Sequence, residues 1–92
     1  MSTADAPLLH RFTIHADHTP NALARIVAPF VIHDVLPQRL SAASEPAAAD
    51  YVVSIEFAAA AEVALRLADR IAAMPVVRRL IHDAVEAVAA AA

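Results

Sequence analysis

The chain has 92 residues, 60% of them hydrophobic and 18% charged, with a formal net charge of −3, a composition that excludes disorder and a length that suits one domain with one core. The seven basic residues are all arginines, scattered from Arg11 to Arg79, so the basic stripe of a nucleic-acid binder is missing. Cysteine and glycine are both absent, which excludes disulfides, thiolate metal sites and a cysteine nucleophile, and leaves any backbone position with positive φ to Asn, Asp or His.

A domain this small buries only about 60 to 65% of the surface that its unfolded chain exposes, so association with itself or a larger partner is expected. No apolar run approaches the length of about 18 residues that a membrane span needs, and the stretch from Met1 to Leu9 carries Asp5 and lacks a basic start. Neither a span nor a signal peptide is expected, and cytoplasm is the expected compartment.

Residues 1–7 are small and polar and are expected to fray as a flexible N-terminus. From residue 8 to 16, Leu8, His10, Phe12, Ile14 and Ala16 alternate with Leu9, Arg11, Thr13 and His15, the period of a strand with one buried face. Asp17, His18 and Thr19 then precede Pro20, a capping run with proline at the first helical position, and Leu23, Ile26, Val27, Phe30 and Val31 recur at helical spacing. Pro29 lies inside that pattern and predicts a kinked or broken last turn. Residues 35–44 read as a second strand, which Pro37 assigns to a sheet edge. After a loop at residues 45–50, Tyr51, Val53, Ile55 and Phe57 alternate as a third strand, and the two should form a hairpin. Residues 60–74 read as a second helix carrying Val63, Leu67 and Ile71, beside Leu65. In the last segment Val77, Leu80, Ile81, Ala84, Val85 and Val88 fit a helical stripe, yet a strand–helix–strand–strand–helix order needs a closing strand. Residues 76–82 are therefore expected as that strand, residues 8–85 as one domain, and residues 86–92 as an alanine-rich tail.

The run from Phe12 through Asp17, Pro20, Asn21 and Leu23 to Val27 resembles the opening of an ACT domain, with its strand, its Asp-x-x-Pro-Gly-x-Leu turn and its helix. The similarity continues through Arg39-Leu40-Ser41-Ala42-Ala43-Ser44 and Val53-Ser54-Ile55-Glu56-Phe57, and is greatest to the short small regulatory subunit of acetohydroxyacid (acetolactate) synthase. The resemblance implies an α+β, ferredoxin-like βαββαβ domain with a four-stranded antiparallel sheet and two helices on one face. It further implies pairing of domains through edges or helices, a small amino-acid effector near the first helix, and a large catalytic subunit as partner. Thiamine diphosphate and flavin would belong to that subunit, so this chain is expected to need no cofactor. The pattern departs where the family has glycine: Asn21 follows the proline, and Ile32, His33 and Asp34 follow the helix.

The effector residues expected are Asp17, His18, Thr19, Asn21 and Leu23. Backbone N–H groups at the start of a helix lack internal partners and suit a carboxylate, Asp17 would accept an ammonium group, and Leu23 with Val27 would form an apolar wall. The alternative reading is that Asp17 or Thr19 simply caps the helix and no ligand binds. Five histidines, His10, His15, His18, His33 and His82, raise the question of metal, but His10 and His15 point to opposite faces of a strand and no pair is spaced i, i+4 on a helix. They are expected to be exposed or capping, with no metal site. Arg78, Arg79, His82 and Asp83 read as one charged face. No glycine-rich phosphate loop, nucleophile elbow or converging Ser, His and acid set is present, and Phe12, Tyr51 and Phe57 fall on the inward pattern, which argues against an RNA-binding sheet. The expectation is a non-catalytic regulatory subunit of branched-chain amino-acid biosynthesis, dimeric or larger. The alternative is a free-standing ferredoxin-like dimer that binds a small ligand or metal and has no enzyme partner.

Overall fold

The computed structural model describes residues 7–45 and 50–85. Its elements run β1 (Leu8–Ala16), α1 (Pro20–Ile32), β2 (Pro37–Glu45), β3 (Asp50–Ala59), α2 (Ala61–Ala72) and β4 (Val77–Val85). The four strands form one antiparallel sheet in the order β2-β3-β1-β4. This is the ferredoxin-like α+β fold expected from the sequence.

The period of two in β1 and β3 does the sorting. His10, Phe12, Ile14 and Ala16 of β1, and Val53, Ile55, Phe57 and Ala59 of β3, are buried beneath the helices, while the residues between them are half-buried on the open face. From above, α1 contributes Ala22, Ile26, Pro29 and Phe30, and α2 contributes Ala64, Leu67, Ala68 and Ile71. On α2, Ala64 and Ala68 face the sheet and let the helix approach closely, whereas Leu65 is 58% exposed. Phe12, Phe30 and Phe57 meet edge to face, with ring centroids 4.8, 5.0 and 6.2 Å apart, the arrangement that aromatic quadrupoles favour.

Two expectations need correction. Helix α1 is not broken at Pro29 but continues to Ile32. The missing donor affects only the carbonyl of Arg25, on an exposed residue where water can hydrate it, and beyond Pro29 the end is held by its own bonds. Asp34 N–H donates to Val31 at 3.1 Å and Val35 N–H to Phe30 at 2.8 Å, the two bonds of a Schellman cap. The cap requires a left-handed residue, and Asp34 supplies it with φ of 58°. The last strand extends to Val85, three residues beyond the expected end, so Arg79 and Asp83 lie on the open face while His82 turns inward. The single charged face expected there does not form, because a strand sends alternate residues to opposite sides. Residues 1–6 and 86–92, expected as a frayed start and a tail, lie outside the described residues, as do positions 46–49 between β2 and β3.

Strand β2 occupies an edge, as Pro37 requires, and the ladder brings Glu45 opposite Asp50 as a hairpin. Its register slips between Pro37 and Arg39, so Pro37 rather than Gln38 lies opposite Phe57. Among the described residues no helix is long and apolar enough to cross a membrane.

The left-handed Asp34 yields a stability prediction. Asp34→Gly should leave the fold intact and raise stability by a few tenths to about 1 kcal/mol, whereas Asp34→Val should lower it by about 1 to 2 kcal/mol. Urea midpoints at constant m-value measure both.

Candidate functional site

The turn after β1 is built by backbone bonds. Asp17 N–H donates to Val76 at 2.8 Å and Thr19 N–H to Asp17 at 2.9 Å, which throws the chain outward before Pro20 starts α1. Thr19 is the N-cap, with extended φ of −136° and ψ of 148°, yet its side chain makes no capping hydrogen bond. Asp17 does not cap either, because its Oδ1 accepts from Arg78 Nε at 2.9 Å. A side chain that simply closes the helix is therefore not seen at this turn.

Beside the turn lies an open depression of about 330 Å³, lined by His18, Thr19, Pro20, Leu23, Ser44 and Tyr51. His18 Nε2 is hydrogen-bonded to Ser44 Oγ at 2.8 Å, and its ring meets Tyr51 edge on at 6.3 Å. Of the five residues expected at an effector site, His18, Thr19 and Leu23 line this depression together. Asp17 stands outside the lining, held by Arg78, and Asn21 is exposed on the first helical turn. Ser44 and Tyr51 were not expected: they arrive from β2 and β3, where Ser44 pairs with Tyr51 across the hairpin. Strand alternation placed Tyr51 inward, but only the hairpin register brings it to the start of α1.

An ionic chain borders the depression. Between His15 and Ala16 the β1–β4 register shifts, leaving Arg78 as an extra residue without a partner on β1, and such irregularities re-aim side chains. Arg78 Nη1 donates to Asp50 Oδ1 at 2.8 Å, while Asp50 Oδ2 faces His15 Nδ1 at 3.3 Å. The Arg78 guanidinium is held still more firmly in its charged form, first by Asp17 and then by Asp50. On the open face Arg11 Nε donates to Glu56 at 3.2 Å, with Arg39 at 3.9 Å from the same carboxylate.

At the opposite end of β1 the histidine expectation fails. His10 is buried, 2% exposed, and is bonded to Ala59 and to His82, because its parity on β1 matches Phe12 and not Arg11. Among the described residues no three His, Asp or Glu side chains gather as a metal-binding group.

Fold and site together define a small ferredoxin-like α+β module with an open depression at the start of its first helix. No protein-family model matches the chain, and no curated protein matches it. Solved structures do. An uncharacterized protein, TM1266 from Thermotoga maritima, superposes with a TM-score of 0.69 at 9% identity, over 86% of this chain and 98% of that one. The C-terminal domain of the MgtC protein from Mycobacterium tuberculosis superposes with a TM-score of 0.66 at 12% identity, over 94% and 95% of the respective chains. At such identities the likeness establishes the fold alone.

The half-exposed Arg78 bridge predicts a salt-sensitive term. Arg78→Gln should lower the melting temperature at low ionic strength, and the difference from the native chain should shrink in about 1 M salt, where the screening length falls to about 3 Å. Thermal melts at the two salt concentrations measure it.

Proposed function

We propose that the chain is a non-catalytic, cytoplasmic regulatory module of ACT type, which takes a small amino acid at the start of α1 and pairs with a second copy and with a larger catalytic subunit. The sequence resemblance favours the small subunit of acetohydroxyacid synthase as its particular form. The observation that carries the reading is the shared depression: His18, Thr19 and Leu23, chosen from the sequence for this role, line one surface with Ser44 and Tyr51. Its volume lies at the lower end of the range for small-molecule sites, as suits a free amino acid.

Each part of such a ligand has a counterpart. The Thr19 hydroxyl, which makes no capping bond, and the helix-start N–H groups suit the carboxylate. The phenol of Tyr51 and the hydroxyl of Ser44 offer acceptors to the ammonium group, and Asp17, whose Oδ1 is taken by Arg78, adds negative charge nearby. Leu23 and Pro20 offer an apolar wall to a branched side chain. A ligand with so few atoms should bind at roughly micromolar to millimolar strength.

Calorimetry with valine, leucine and isoleucine tests the site. At least one should bind the native chain, and Leu23→Asp, a polar substitution on the wall, should weaken it at least about tenfold, equivalent to about 1.4 kcal/mol. Absence of heat for all three, on folded protein, removes the effector from the proposal.

Pairing has its own basis and its own test. Among the described residues the outer edge of β2, nine residues long, has no partner strand, and Leu36 just before it, Leu40 on it, and Val31 and Ile32 at the end of α1 are 80, 41, 78 and 65% exposed. Long bare edges with apolar neighbours invite association. Light scattering at micromolar concentration should give a dimer or larger species. Added to a matching large synthase subunit, the chain should co-purify with it and raise its turnover; a large subunit fully active alone and unbound by this chain would refute the synthase assignment.

A further inference from the structure

The buried histidine at the far end of β1 belongs to no part of the proposed ligand site. Among the described residues His10 is the one polar side chain in the core, 2% exposed and stacked on Phe57 at 5.4 Å. Its Nε2 lies 3.0 Å from the carbonyl of Ala59 on β3, and its Nδ1 lies 3.1 Å from Nε2 of His82 on β4. A carbonyl only accepts, so His10 Nε2 must carry a hydrogen. In the neutral ring Nδ1 then bears the lone pair, and His82 Nε2 must donate to it. One chain of hydrogen bonds thus runs from β4 through β1 to β3 and fixes both tautomers.

That chain tolerates one added proton and no more. With a single proton, one imidazolium still donates to the other ring. With two, N–H faces N–H, and both positive rings are held together beside Phe12, whose ring meets His82 edge on at 5.0 Å. Even the first proton is disfavoured, since burial, then His10, hold His82 below the ordinary histidine value, with Asp83 opposing. Among the described residues no other charge answers it from the packed elements. Helix α2 turns Ala64, Leu67, Ala68 and Ile71 to the sheet and leaves Glu62, Arg66, Asp69 and Arg70 exposed, α1 leaves Arg25 exposed, and Arg11 and Glu56 lie on the opposite face.

We infer that the His10–His82 pair is an acid-sensitive latch that holds the outer strand β4 against β1. The sign follows from linkage. With the folded histidine below its unfolded value of 6.5, the unfolded chain binds more protons, so the latch contributes in full above that value and its contribution is lost as pH falls below it. Strand β4 is the element that loosens, because among the described residues it is a sheet edge whose ladder runs to β1 alone, whereas β3 is paired on both sides.

Hydrogen exchange of the whole chain, corrected for intrinsic rates, tests the latch between about pH 7.5 and about pH 5.5. In the native chain the amides of β4 should lose more protection than those of β3 over this range. In His82→Phe, which keeps an aromatic ring beside Phe12, the difference should disappear. Equal losses in both strands, or an unchanged difference in His82→Phe, would overturn the inference. Should that variant fail to fold, the ring N–H of His10 in the native chain decides by NMR: it should be slow to exchange at the higher pH and lost at the lower, and its persistence at the lower pH would refute the latch.

Discussion

The contact of Phe12, Phe30 and Phe57 is the constraint from which the rest of the geometry follows. It joins β1, β3 and α1 by three rings that are almost entirely buried, and close-packed interiors leave little freedom to slide one element against another. With β1 fixed in the middle of the sheet, its two ends acquire different chemistry. The end at Ala16 delivers the turn that opens α1, and the end at His10 places an imidazole under the helices.

The polar groups at these ends are held in different ways. Around Asp17 the charges are half-exposed and bridged by one arginine, so each ion pair contributes modestly and yields to salt. Around His10 the polar groups lie in or against the core, so hydrogen bonding decides, and no buried side-chain nitrogen or oxygen among the described residues lacks a partner. Salt therefore acts at one end of β1 and protons at the other.

The absence of glycine from a fold that turns five times gives Asp34 and Thr19 their parts. Asp34 takes the left-handed position at the end of α1, at a cost that a short polar side chain keeps small. At the other end of α1, Pro20 presets the helical φ and Thr19 remains extended before it, its side chain making no capping bond. The missing side-chain cap, at a residue that lines the depression with Ser44 and Tyr51, is what distinguishes this helix start from one that is simply capped.

Local rules made much of this legible in advance. Alternation along residues 8–16 and 51–57 set which side chains enter the core, because a strand has a period of two wherever it lies. Pro20 marked a helix start and Pro37 an edge, because a missing N–H excludes proline from other places. Asp17, His18, Thr19, Asn21 and Leu23 became candidates from the family resemblance and from the free N–H groups that any helix start offers. What lay beyond reach was the register in which distant strands pair. Residues 77–85 satisfy a helical and an extended pattern alike, and only the unpaired flank of β1 makes them a strand. Once they are one, His82 meets His10 from 72 positions away, Arg78 falls at a register shift that aims it at Asp17 and Asp50, and the β2–β3 hairpin carries Ser44 and Tyr51 to the mouth of α1. Periodicity sees one element at a time, whereas register is a property of two, and it was register that decided the site's far wall and the buried histidine pair.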